Sequence, residues 1–103
     1  MGLSVKGFWS SLLEGRGGIG PITHFDAAKM DVRFAAELKG FDPAETMDAK
    51  EIKRADPFVQ YAMAAAKQAA AQGGLHPEAV DPNRFGAVIG SGIGGITTLE
   101  AQH

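Results

Sequence analysis

The chain contains no cysteine, so disulfides, thiolate metal ligands and cysteine nucleophiles lie outside what its own residues can do. It has no apolar run near the ~18 residues that a membrane span needs. Its first residues also lack the basic stretch and apolar core of a secretory leader. A cytoplasmic protein with no membrane partner is the expectation. A strong charge of one sign is missing too. Ten lysines and arginines stand against twelve aspartates and glutamates, a net charge of −2, so no nucleic acid partner is expected and any basic contact has to be local. The hydrophobic fraction of 45% and charged fraction of 21%, over 103 residues, fit a globular chain with a modest core rather than a disordered one.

What is present organises into helices and glycine-rich loops. Ser4 can cap a helix whose apolar residues Val5, Phe8, Trp9, Leu12 and Leu13 trace one stripe at the 3.6-residue period, with Gly15 as its stop. Gly7 weakens that helix from within by roughly 1 kcal/mol relative to alanine. "GRGGIGP" follows and reads as too rich in glycine for regular structure. "VRFAAEL", Val32 to Leu38, predicts at most a short strand, because alanine is a poor strand former. Asp42-Pro43 starts a turn or brief helix, and Met47 to Asp56 reads as a short exposed helix or structured loop.

The clearest element opens with Asp56 at a helix cap and Pro57 at the first helical position, where a missing N–H costs nothing. It continues through "PFVQYAMAAAKQAAAQ" to Gly73-Gly74. Phe58, Ala62, Ala65, Ala66 and Ala69 share one side, and so many alanines predict a helix packed closely on several sides. "LHPEAVDPNR" is a loop with two prolines. Phe85 to Ile89 is apolar without alternation, the pattern of a strand covered on both faces. "GITTLEAQH" starts another helix, giving an α/β order. A lone buried strand cannot satisfy its ladder hydrogen bonds, so the chain reads as a piece of something larger.

Four groups of residues invite a functional reading. Gly90, Gly92 and Gly95 satisfy G-x-G-x-x-G, but the acidic residue ~20 positions on that completes a dinucleotide fingerprint falls beyond the last residue. A tight turn between strand and helix accounts for the same glycines. Ser91 lacks the glycine two places earlier that a nucleophile elbow requires, since Ile89 stands there. His24, His76 and His103 are scattered; His24 and Asp26 could share a metal, yet no third ligand sits at a recognisable spacing. Lys50, Lys53 and Arg54 are spaced so that a helix puts all three on one face. That pattern suits either a solvated helix face or a small basic patch for an acidic partner or phosphate group.

The stretches "LLEGRGGIGPITHFDAAKM", "ELKGFDP", "KRADPFVQYAMAAAKQAA" and "GAVIGSGIGGITTLE" together resemble the N-terminal part of type II β-ketoacyl-acyl carrier protein synthases. The most specific matches are "IGSGIGG" with its following helix, and the D-x-F-x-Q-Y-A pattern of Asp56 to Ala62. Polyketide ketosynthases share parts of both. The resemblance implies a partial thiolase-like α/β fold lacking its first core strand, from an enzyme that works as a homodimer. It implies condensation of an acyl chain with malonyl-acyl carrier protein and release of carbon dioxide. The family's nucleophile is a cysteine, with two histidines and a lysine in the same site; none of these matches a position here, so no catalytic residue and no cofactor is assigned.

The resemblance further implies that residues 1–103 are a fragment without a complete domain, inactive alone and short at both ends. In such enzymes the glycine loop approaches the acyl pocket, and the isoleucine that lines it maps to Ile93. Basic side chains that meet acyl carrier protein map to Lys50, Lys53 and Arg54, while Ala55 departs from the methionine that relatives often carry. Two alternatives remain open: a self-standing module that docks the carrier without catalysis, and a piece of a polyketide ketosynthase. For the glycine loop the expected outcome is negative. Saturating NAD or NADP leaves the melting temperature unchanged, whereas a ligand-dependent rise measured by thermal denaturation would restore the dinucleotide reading.

Overall fold

The structure is a computed structural model that describes residues 2–103. It comprises two compact units, one ending at Phe41 and the other running from Asp42 to His103.

In the first unit, helix α1 (Val5–Leu13) begins as its sequence predicts, with the Ser4 hydroxyl accepting the Gly7 N–H at 3.2 Å. Gly15 follows at φ +66°, a conformation that costs glycine little and turns the chain out of the helix. Strands β1 (Ile19–Pro21) and β2 (Phe34–Ala36) then pair antiparallel, with Ile19 opposite Ala36 and Pro21 opposite Phe34. β2 lies within the stretch that predicts a strand. β1 corrects the reading of "GRGGIGP" as irregular: a ladder partner overrides weak local propensity, and a proline is tolerated in a two-stranded sheet whose strands are both edges.

The segment joining these strands is held by one carboxylate. Glu37 accepts the Thr23 N–H at 2.8 Å, the Thr23 hydroxyl at 2.7 Å and the His24 N–H at 3.2 Å. The His24 imidazole Nε2 lies 3.9 Å from the same carboxylate. The backbone and hydroxyl donors of Thr23, followed by the His24 contacts, hold the Glu37 carboxyl below the usual carboxylate range.

The second unit opens with a single 3₁₀ turn at Pro43–Glu45, capped by the Asp42 carboxylate on the Ala44 N–H at 2.9 Å. Helix α2 (Ala49–Ile52) carries a complete capping box. Asp48 accepts the Lys50 and Glu51 N–H groups at 2.8 Å, and Glu51 accepts the Asp48 N–H at 2.9 Å. Helix α3 (Pro57–Gln72) starts at Pro57 and closes with Gly74 at φ +63°, where the Leu75 N–H returns to the Ala70 carbonyl at 2.9 Å. A second 3₁₀ turn, Pro77–Ala79, interrupts the proline-punctuated loop, and α4 (Ile96–Gln102) follows the glycines.

Three expectations fail here. Phe85 to Ile89 forms no strand, because no described segment offers it a ladder partner; Val88 is 100% exposed. Helix α3 is not packed on several sides, since none of its residues is buried. The expected modest core is missing as well. Among the described residues only Ala27 and Ser11 are buried, while Phe8, Trp9, Leu12, Leu13 and Phe34 lie open. The mixed helix and strand content agrees with the α/β class, and no described helix is long and apolar enough to cross a membrane.

Because the Glu37 value is lowered, its bonds stabilise the strand connection above the ordinary glutamate pKa, about 4.3, and fade as pH falls through the lowered folded value. Amide protection at Thr23 and His24 is therefore expected to be lost in acid, at a pH below the ordinary glutamate range, while that of α1 persists. Glu37→Gln should weaken it near neutral pH and remove its acid dependence, and pH-independent protection in the native chain would contradict this assignment.

Candidate functional site

The glycine loop and the basic run singled out by sequence both meet the start of α3. Its apolar side, comprising Phe58, Tyr61, Ala62, Ala65, Ala66 and Ala69, faces Ile89, Gly90 and Ser91 across an open cleft of about 570 Å³. The alanines explain the cleft: methyl side chains leave room that larger residues at the same helical spacing would fill. Its walls are largely hydrocarbon, so what it offers chemically is a surface for an apolar chain or another apolar element. Ile93 is not on these walls. It stands 80% exposed in the loop beyond Ser91.

The glycine loop is tied to the start of α3. Thr98 donates its hydroxyl to Asp56 Oδ1 at 2.5 Å and its N–H to Asp56 Oδ2 at 3.3 Å. Gly94 adopts φ +77°, and a Cβ there would lie 3.8 Å from the Phe58 ring. At Gly95 a Cβ would stand 2.6 Å from Asp56 Oδ2, closer than two such atoms can approach. By contrast, a Cβ at Gly90 or Gly92 would meet open space. The glycines that this geometry needs are thus Gly94 and Gly95, and only Gly95 belongs to the G-x-G-x-x-G reading.

The basic run lies on the other side of Asp56. Lys50 is in α2, Lys53 is its C-terminal cap at φ −64°, and the Arg54 N–H closes a turn on the Glu51 carbonyl at 3.0 Å. All three side chains are exposed, but α2 ends at Ile52, so the helical face predicted for them continues only as a turn. Gln60 secures this turn to α3, donating from Nε2 to the Ala55 carbonyl at 2.8 Å and to that of Ile52 at 3.4 Å. Lys67 similarly donates to the Glu45 carbonyl at 2.7 Å.

The remaining candidates do not assemble. Asp26 accepts the Ala28 N–H at 2.9 Å, while His24 is oriented toward Glu37. Among the described residues no group of three potential metal ligands comes together. His76 is the N-terminal cap residue of a 3₁₀ turn, and His103 follows α4.

Sequence reasoning missed Glu37, Gln60, Lys67 and Thr98. Each acts on a group at least five positions away, and no local pattern marks such a pairing. It also placed Asp56 correctly and misjudged its work. The side chain makes no hydrogen bond to its own helix, since the carboxylate is taken by Thr98, 42 residues further on.

Comparison with known proteins identifies the family of the chain. The family model "Beta-ketoacyl synthase, N-terminal domain" matches residues 1–103. A 3-oxoacyl-(acyl-carrier-protein) synthase 2 from Coxiella burnetii is 43% identical over 103 residues, covering 100% of this chain and 25% of that protein. The Synechocystis protein of the same name is 42% identical, covering 99% of this chain and 24% of its own. That from Vibrio harveyi is 44% identical, covering 100% and 25%. The chain therefore spans about a quarter of the length of these curated relatives. It belongs to the β-ketoacyl synthase family, within whose N-terminal domain all of its residues fall.

Proposed function

We propose that this chain is part of a thiolase-like 3-oxoacyl-acyl carrier protein synthase, in which it supplies a wall of the acyl-chain site and a docking surface for the carrier. The reaction joins an acyl thioester to malonyl-acyl carrier protein with loss of carbon dioxide, in fatty acid biosynthesis in the cytoplasm, by a homodimer. The observation that carries this reading is the agreement with synthases of that name along the whole chain at 41–44% identity. The uncovered apolar surface supports it as well, since Phe8, Trp9, Val88 and Ile89 are side chains of the kind that a larger protein covers. With no cysteine, the chain holds no thiol to accept an acyl group, and it contributes no nucleophile.

The docking role belongs to Lys50, Lys53 and Arg54. Their segment also contains Asp48, Glu51 and Asp56, so its formal charges cancel. The carboxylates, however, are engaged by hydrogen bonds: Asp48 accepts N–H groups of the first turn of α2, Glu51 accepts the Asp48 N–H, and Asp56 accepts from Thr98. The three cationic side chains are left exposed and face solvent, which suits an acidic carrier. Ile93, exposed at the loop beside the apolar cleft, is the residue assigned to the acyl chain.

Reversing Lys53 and Arg54 together to glutamate is expected to weaken binding of acyl carrier protein by about tenfold or more at low ionic strength, with a smaller loss at high salt. Titration calorimetry at two salt concentrations provides the measurement. Unchanged affinity would remove the docking role from this segment.

A further inference from the structure

We propose that Asp56 is the positioning residue of the glycine loop, fixing where Ile93 stands and so which acyl chains the site admits. This inference rests on the assignment of Ile93 made above. Aspartate at a helix cap ordinarily accepts an N–H of its own first turn. Asp56 does not. Helix α3 starts without it, on Pro57 and on the Val59 and Gln60 N–H groups that reach the Asp56 carbonyl at 2.9 and 3.3 Å.

The freed carboxylate caps a different helix. Both of its oxygens accept from Thr98, the third residue of α4, whose own cap position is Gly95 and has no side chain to offer. The glycine at 95 is explained by the same contact. Its φ of −77° is open to any residue, yet a Cβ would collide with Asp56 Oδ2. Gly94, in turn, needs its positive φ and lies against the Phe58 ring. Ile93 thus immediately precedes two glycines held from α3 by Asp56 and Phe58. At 80% exposure its own packing does little to place it.

The test is made on the complete polypeptide in which this segment is expressed, by hydrogen exchange resolved to peptides. Asp56→Ala removes no hydrogen bond from α3. It should raise exchange across Gly94 to Leu99 by about threefold to tenfold, the range expected on losing charge-assisted bonds, and leave Val59 to Ala71 unchanged. Asp56→Asn keeps an acceptor for the Thr98 hydroxyl and should open the loop less. Gly95→Ala should open it alone but add nothing in the Asp56→Ala background, where the opposing carboxylate is gone. Unaltered loop exchange in Asp56→Ala, or equal loosening of α3 and the loop, would overturn the proposal.

A second arm compares relative binding of short and long acyl thioesters in Asp56→Ala and Ile93→Gly. A shift in the same direction for both supports the positioning role. A shift with Ile93→Gly alone overturns it. If the loop opens as expected and neither variant alters chain-length preference, Asp56 still positions the loop and the assignment of Ile93 to the acyl site fails.

Discussion

The Asp56 carboxylate accepts both hydrogens that Thr98 can donate, and the second unit is organised around that contact. It brings the glycine loop back to α3 across 42 residues of chain. It starts α4, which has no capping side chain of its own, and it dictates glycine at position 95. The residues on either side of it serve the two ends of the proposed site. Ala55 receives the Gln60 side chain that secures the basic turn, and Phe58 lies against Gly94. The basic turn and the glycine loop, far apart in sequence, are thereby fixed from one short stretch at the start of a single helix.

Carboxylates do similar work elsewhere in the chain. Glu37 holds Thr23 and His24, Asp48 and Glu51 close α2, and Asp26, Asp42 and Asp81 each accept an N–H two residues ahead. An ionised carboxylate is acceptor-only and bonds backbone N–H groups strongly, so it can order a turn without any apolar cover. In a chain with so little burial, this is how the loops keep their shape. One consequence is electrostatic: acidic side chains face their own backbone, while Lys50, Lys53 and Arg54 remain exposed despite a net charge of −2.

The apolar residues have the reverse fate. The α1 stripe and the alanine side of α3 have the spacing of core-facing helices, and neither is buried within its own unit. Helical amphipathicity describes what a helix is ready to cover, and in this chain the surfaces so prepared remain open. The curated relatives are about four times as long as this chain, and in the proposed function these open surfaces are ones that a larger protein covers.

Helix limits were legible in the sequence because caps and stops act within a few residues. Ser4, Pro57, Gly15 and Gly73-Gly74 mark helix ends in the structure as their local chemistry predicts. The glycine loop, the basic run and the family resemblance were legible for the same reason, being contiguous patterns. Pairings at a distance were not. Whether Phe85–Ile89 becomes a strand depends on a partner for its backbone, and whether "GRGGIGP" contributes one depends on β2. Whether Asp56 caps its own helix or another depends on where Thr98 arrives. A hydrogen bond is decided by which donor reaches an acceptor first within about 3 Å, and for groups tens of residues apart only the folded chain settles that.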